Sequence, residues 1–263
     1  MQQPAIFIGH GSPTELIETG AFQDSLKKFG EQNPKPSAIV VLSAHWLTRD
    51  TVEINASTQP ETIYDYGGFP QAMYEVDYPA PGSTELAQKI KTLLENFKTE
   101  LNPSHGLDHG AWIPLKMLYP TNDIPVVQVS IPFALGPQKI FEIGQALAPL
   151  RNENILLMGS GNITHNLQAV NFGNKHAAPE SWAQEFEGWV KTQISGNTIE
   201  SLSNFKTLAP HARLAHPYPD HFYPLFFVLG AKTSADQRFD IYDHFHYGTL
   251  SMWSFGFKTT STL

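Results

Sequence analysis

The 263-residue chain contains no cysteine. That removes disulfides and thiolate metal ligands, and it fits a reducing compartment. No apolar run is long enough to span a bilayer, and the first residues lack the basic-then-apolar pattern of a secretion signal. A soluble, cytoplasmic protein is the expectation. Positive charge is also scarce: 17 Lys and Arg stand against 25 Asp and Glu, a formal net charge of −8, and no cluster of basic residues offsets it. Neither a nucleic acid nor a membrane surface is the expected partner, which leaves a small molecule. Familiar catalytic signatures are missing as well. No His is followed by Glu, so the HExxH zinc motif is absent, as are the G-x-S-x-G elbow and the phosphate-binding G-x-x-x-x-G-K-[ST] loop. Gly9-His10-Gly11 lacks the third glycine of a dinucleotide fingerprint.

What is present is a chain with 41% hydrophobic residues, enough for a sizeable core. Short apolar runs at Ala5–Ile8, Ala38–Leu42, Pro125–Ile131 and Ile155–Met158 predict buried strands, with a fifth candidate at Thr249–Phe257. Helical spacing marks Ser83–Phe97, Gln138–Leu150 and Ser181–Ile194. Strands and helices alternate, which predicts an α/β fold with a central, largely parallel or mixed sheet flanked by helices. No repeat, linker or shift in composition divides the chain, so one domain is expected over residues 1–263.

Eleven histidines are many for this length, and three of them follow predicted strands. Ala5–Ile8 is followed by Gly9-His10-Gly11, Ala38–Leu42 by Ser43-Ala44-His45-Trp46, and Ile155–Met158 by a glycine-rich loop ending at His165. Ligands of such sheets bind beyond the carboxyl ends of the strands. Each histidine taken singly reads as a hydrogen-bonded loop residue. Taken together, His10, His45 and His165 read as a divalent-metal site with positions left open for substrate. His109 precedes a helix expected to begin near Ala111, and His221 lies at or just before a helix whose first turn holds Pro224. Ser12 and Ser160 sit beside glycines, but without an elbow they read as structural.

Seven stretches occur in order along almost the whole chain: GHGSP, SAHW, YDYGGFP, YPAPG, DHGAW, SGNITHN and HPYPDHFYP. Together they closely resemble the class III extradiol ring-cleaving dioxygenases, in particular the DOPA-4,5-dioxygenase-like branch. The resemblance implies an α/β fold, a metal site at the strand ends, and extradiol cleavage of a catechol by O2. It puts the metal ligands on His10, His45 and His221, with His165 as acid/base or fourth ligand and His109 as a pocket histidine near the substrate. Many members of the wider superfamily use two histidines and a carboxylate; here the last position is His221, with Asp220 beside it. Fe(II) is the metal expected for turnover, and Zn(II) suits the same all-histidine set as a bound ion.

A catechol must lose protons, and a neutral histidine can take one and return it later. His165 is the choice for that role, with His109 supporting it. Tyr64, Tyr66 and Phe69 are candidates for the wall of an aromatic pocket. The substrate stays open between a DOPA-like molecule and another catechol acid. Two other readings also stay open at this point: a zinc hydrolase on the same histidines, and a non-catalytic binding protein of the same superfamily.

Overall fold

The structure, a computed structural model, describes residues 2–259. Its centre is an eight-stranded sheet in the order β4-β3-β5-β2-β6-β1-β10-β7. The strands are β1 (Ala5–Gly9), β2 (Ala38–Thr48), β3 (Val52–Asn55), β4 (Thr99–Asn102), β5 (Val126–Pro132), β6 (Ile155–Gly161), β7 (Asp236–Tyr242) and β10 (Ser254–Thr259). A two-stranded ribbon, β8 (Phe245–His246) with β9 (Leu250–Ser251), stands apart from it. The four middle strands β5, β2, β6 and β1 run parallel, while β10 and β7 continue the sheet antiparallel on one side and β3 meets β5 antiparallel on the other. The sheet is therefore mixed with a parallel centre.

Continuous apolar strands arise because both sheet faces are covered. Along β1, Ala5 and Phe7 enter one core while Ile6 and Ile8 enter the other. In β2, Val40 and Leu42 likewise alternate with Ile39 and Val41. The helices divide accordingly. Helices α1 (Ala21–Gln32) and α3 (His109–Leu118) send Phe22, Leu26, Trp112 and Leu115 to one face. Helices α2 (Thr84–Leu93), α4 (Gly136–Leu147) and α5 (Ser181–Ser195) cover the other. After the short helices α6 (Ile199–Ser203), α7 (Phe205–Leu208) and α8 (Ala212–Ala215) comes α9 (Tyr223–Ala231), every residue of which is buried.

Several boundaries differ from the sequence expectation. The predicted helix at Gln138–Leu150 starts two residues earlier and passes into a tighter 3-10 turn at Ala148. The predicted helix over Ser83–Phe97 stops at Leu93, with Ser83 as its N-cap accepting the Leu86 N–H. Helix α3 begins at His109 rather than near Ala111, because Asp108 caps it and accepts the Ala111 N–H. The candidate strand Thr249–Phe257 is split into β9 and β10 at Met252 and Trp253. Among the described residues no helix is long and apolar enough to cross a membrane.

The Gly-His-Gly stop after β1 has a packing cause. Gly11 turns the chain at φ +65, and a Cβ there would strike the Met252 side chain; a Cβ at Gly9 would meet the Met252 backbone. What comes close to the glycines is the β9–β10 connection, and His10 projects from a turn clamped on that side.

Candidate active site

Because β1, β6 and β2 are adjacent and parallel, their carboxyl ends deliver side chains to one edge. His10 follows β1 directly. Its N–H donates to the Gly161 carbonyl at 3.0 Å, and its Nδ1 lies 2.9 Å from Ser160 Oγ. The Ser160 hydroxyl itself donates to the Gly110 carbonyl. Its lone pair is thus left to accept His10 Nδ1–H, which fixes the tautomer and makes His10 Nε2 a bare acceptor.

His45 is not beyond its strand, as the apolar run suggested, but inside it. Strand β2 runs on to Thr48, and its register with β5 jumps between Leu42 and Leu47. The irregularity carries Ser43 through Trp46, and such bulges re-aim side chains beside sites. His45 Nε2 comes to 3.2 Å from His10 Nε2.

His221 sits in a single 3-10 turn, Asp220–Phe222, that runs into α9. The Asn162 N–H donates to the His221 carbonyl at 2.9 Å, and a Cβ on Gly161 would lie 2.2 Å from that same oxygen. Only glycine lets β6 press this close to the turn. His10, His45 and His221 each bring a ring nitrogen within 4.8 Å of the others.

His165 lies past the end of β6, where its N–H donates to the Ala215 carbonyl at 3.0 Å. Its ring stacks on that of His221 with centroids 3.5 Å apart and planes 5° from parallel. It belongs to a neighbouring group with Asp220 and His221 rather than to the trio containing His10. His109, at the start of α3, faces the rings of His45 and His10 at centroid distances of 3.8 and 5.7 Å.

Burial, reinforced by the surrounding imidazoles, holds His10 and His221 well below the ordinary histidine pKa. Burial and then His109 push His45 down to about 3, against the pull of Asp65. Burial lowers His165 to about 4, with Asp220 opposing. All four are neutral at pH 7 and carry free lone pairs. His221 Nδ1 is buried 3.0 Å from Asp220 Oδ1 but makes no hydrogen bond of good geometry with any of the described residues. Converging lone pairs, neutral rings and an orphaned buried nitrogen are the donor chemistry that a divalent ion satisfies.

Two further carboxylates, Asp65 in the site and Asp108 buried behind it, are given no role by the sequence. Asp65, from the YDYGGFP stretch, accepts the His109 N–H at 2.9 Å on Oδ1, which also lies 3.0 Å from His109 Nδ1; its Oδ2 is 3.6 Å from His45 Nδ1. Burial alone would raise its pKa, but the contacts with His109 outweigh that and hold it below the ordinary range. Asp108 is pushed up to about 6 by burial, although Ser43 and Gln128 donate to it. The only sequence signal for Asp65 is its place in the YDYGGFP stretch, and its reach to His45 and His109 depends on how the loop folds over the sheet edge.

The five histidines, Asp65 and Asp220 line a cavity of about 400 Å³, with Tyr66, Phe69, Leu167 and Phe172 among its walls, while Asp108 is buried behind it. Tyr64, expected beside Tyr66, does not line it. Its ring packs behind the wall against Trp112, with centroids 5.9 Å apart, and its hydroxyl donates to the Val76 carbonyl. The two serines are structural in their contacts: Ser12 caps a turn by accepting the Thr14 N–H, and Ser160 is buried behind His10.

The other histidines lie elsewhere. His105 stacks on Trp46, His216 donates from Nε2 to the Ile163 carbonyl at 2.8 Å, and His246 pairs with buried Glu15 at 2.8 Å.

Residues 4–258 match the family model described as the catalytic LigB subunit of aromatic ring-opening dioxygenase. A 4,5-DOPA dioxygenase extradiol of Beta vulgaris is 40% identical, over 97% of this chain and 96% of its own. Another protein of that name, from Escherichia coli K12, is also 40% identical, over 96% of this chain and 94% of its own. An uncharacterized Escherichia coli K12 protein of known crystal structure superposes with a TM-score of 0.83 at 36% identity, covering 97% of this chain and 99% of that one. With the match running from the strand before His10 to the last strand of the sheet, the chain belongs to the LigB family of aromatic ring-opening dioxygenases and is an extradiol ring-cleaving enzyme.

Proposed function

We propose that residues 1–263 form one catalytic domain which opens a catechol, either DOPA-like or a catechol acid, with O2 in the cytoplasm. His10, His45 and His221 hold one divalent metal, with Fe(II) the ion for turnover. The observation that carries this reading is the approach of His10 Nε2 to His45 Nε2 at 3.2 Å with His221 beside them, at the floor of an aromatic-walled cavity. The names of the Beta vulgaris and Escherichia coli relatives support a DOPA-like substrate.

Bound Fe(II) supplies the redox link between catechol and O2, which Zn(II) lacks. The chain's own residues handle protons and position. His165 is neutral at pH 7, so it takes a proton from a catechol hydroxyl and later returns it to an oxygen of the opening product. His109 supports it from beside His45, its backbone N–H held by Asp65 Oδ1 and its Nδ1 3.0 Å from the same oxygen. Tyr66 and Phe69 flank the aromatic ring. Burial, with Tyr64, Tyr74 and Asp65 nearby, pushes Tyr66 up to about 12, so its phenol stays protonated and serves as wall rather than base. Both oxygen atoms of O2 enter the product as the carbon–carbon bond next to the diol breaks.

Anaerobic reconstitution with Fe(II), followed by a catechol panel, tests the reading. O2 uptake and a yellow ring-opened semialdehyde are expected, with the Zn(II) form binding catechol but not turning it over. Correctly loaded Fe(II) protein that consumes no O2 with any catechol overturns it.

A further inference from the structure

Between Gly161, the end of β6, and Ser181, the start of α5, the chain forms neither helix nor strand. An irregular stretch of that length inside a compact domain is uncommon and usually functional. This one carries Leu167 and Phe172 to the cavity. Both are large and apolar, yet they stand 56% and 57% exposed. Apolar surface at the lip of a cavity stays in water until a flat ligand covers it.

Phe172 is fixed more firmly than its exposure suggests. It sits with Gly173 at the tip of a turn closed by the Asn174 N–H on the Asn171 carbonyl at 3.0 Å. Tyr247 grips that turn from both ends. Its carbonyl accepts the Asn171 N–H at 3.2 Å, and its own N–H donates to the Lys175 carbonyl at 2.8 Å. To do so Tyr247 takes a left-handed backbone, φ +54, and the Phe172 ring rests on its ring at a centroid distance of 5.6 Å. Such a conformation in a bulky residue persists only where its surroundings hold it.

The side chain of Lys175 bolts the turn down. Its Nζ lies 2.9 Å from Glu15 Oε1 and 3.0 Å from Glu15 Oε2, and it also pairs with Glu18. Glu15 is fully buried and closely follows Ser12 and Pro13, which line the same cavity. The ion pair therefore ties the Phe172 turn to the chain that leaves His10. Lys175 is not itself a lining residue.

Resting on the ring-cleavage reading above, we infer that Phe172 is a substrate-binding residue that covers the bound catechol from solvent, and that Lys175 is the positioning residue that sets it there through Glu15. A contact held in place before the ligand arrives costs less to form on binding.

Calorimetric titration of 4-methylcatechol into the Zn(II) form reads binding without turnover. Phe172→Ala should weaken it about tenfold, the value of covering half a phenylalanine side chain, and Phe172→Leu should recover most of the loss. Lys175→Met keeps the stem without the charge and should weaken binding about fivefold, most of the Phe172 contact, whereas Lys175→Arg should stay within about twofold. In the double variant, Lys175→Met should cost nothing further once Phe172 is replaced by Ala, because the lysine acts through that ring. Every variant should keep its bound metal. Unchanged affinity in Phe172→Ala, or a full additional loss from Lys175→Met in its background, overturns the inference. So does metal loss in Lys175→Met, which would make the ion pair a support of the His10 turn. Turnover by the Fe(II) form separates this inference from the reading beneath it. No turnover of any catechol, with the binding losses as expected, sinks ring cleavage and leaves the cover standing. Turnover in the unmodified protein, with unchanged affinity in Phe172→Ala, sinks the cover only.

Discussion

His10 owes its tautomer to the hydroxyl behind it. Ser160 spends its proton on the Gly110 carbonyl and so can only accept from His10. Ser160→Ala should leave the fold intact yet weaken metal affinity about 10–100-fold, the usual effect of removing a partner that orients a ligand. Competition with a chromogenic chelator measures it, and unchanged affinity would mean the tautomer is set elsewhere. His165 and His10 divide along a different line. His10→Ala and His45→Ala should lose bound metal. His165→Ala should keep most of its Fe(II) and still bind catechol, while turnover falls by about 10²–10⁴-fold, as for a missing proton shuttle. Metal content and rate on the same preparations tell the roles apart, because metal loss in His165→Ala comparable to His10→Ala would make it a fourth ligand.

The close contact between β6 and the turn ahead of α9 is what sets His221 in place. A methyl at position 161 would press on the His221 carbonyl, which is backbone and has nowhere to yield. Gly161→Ala should therefore lower metal affinity and melting temperature together. Gly188, exposed in the middle of α5 with open space around it, is the control, since Ala there should add about 0.4–1 kcal/mol of stability without touching the metal. The elements that position the site were largely legible: β1, β2, β5 and β6 are short runs of branched apolar residues because helices cover both their faces. The peripheral ones were not. Strands β4 and β7, Thr-Glu-Leu-Asn and Asp-Gln-Arg-Phe-Asp-Ile-Tyr, are polar edge strands whose pairing comes from the sheet rather than from their own pattern. His45 was misplaced relative to its strand because hydrophobicity ends at Leu42 whereas backbone pairing continues to Thr48. Asp65 could not be assigned because its partner His109 lies 44 positions away, across a fold that the local sequence does not encode.

For the molecule as a whole, a single buried cation ties the far end of the sheet. Arg151 donates from Nε to the Gln3 carbonyl, from Nη1 to the Ala231 carbonyl and Asp236 Oδ2, and from Nη2 to the Phe257 carbonyl and Asp236 Oδ1. It thereby joins the chain before β1, the end of α9, β7 and β10. Burial works against the Asp236 carboxylate, but its bond with Arg151 prevails and holds its pKa below the ordinary value. The stability it contributes is therefore complete above the unfolded aspartate pKa of about 3.9 and disappears as pH falls through the lower folded value. Asp236→Asn should cost about 3–5 kcal/mol at pH 7, because it leaves the buried guanidinium unpaired. The gap between variant and parent should close in acid, and denaturant melts at pH 7 and near pH 3 would show it. A gap that does not change with pH would mean that the pair contributes through packing alone.

The pairing order of the sheet also dictates when the histidine cluster comes together. Strand β1 has two neighbours, β6 and β10, so the segment just before His10 meets its first partner about 150 positions downstream. His221 arrives later still along the chain. Contacts of such span form slowly, since a long loop must close before any of them rewards the closure. The cluster is then a product of completed folding and no nucleus for it. An added divalent ion should slow unfolding and leave the refolding rate in place, which a pair of chevron plots with and without Zn(II) would display. In a cell, a partly synthesised chain would carry His10 and His45 without yet having the geometry to capture an ion.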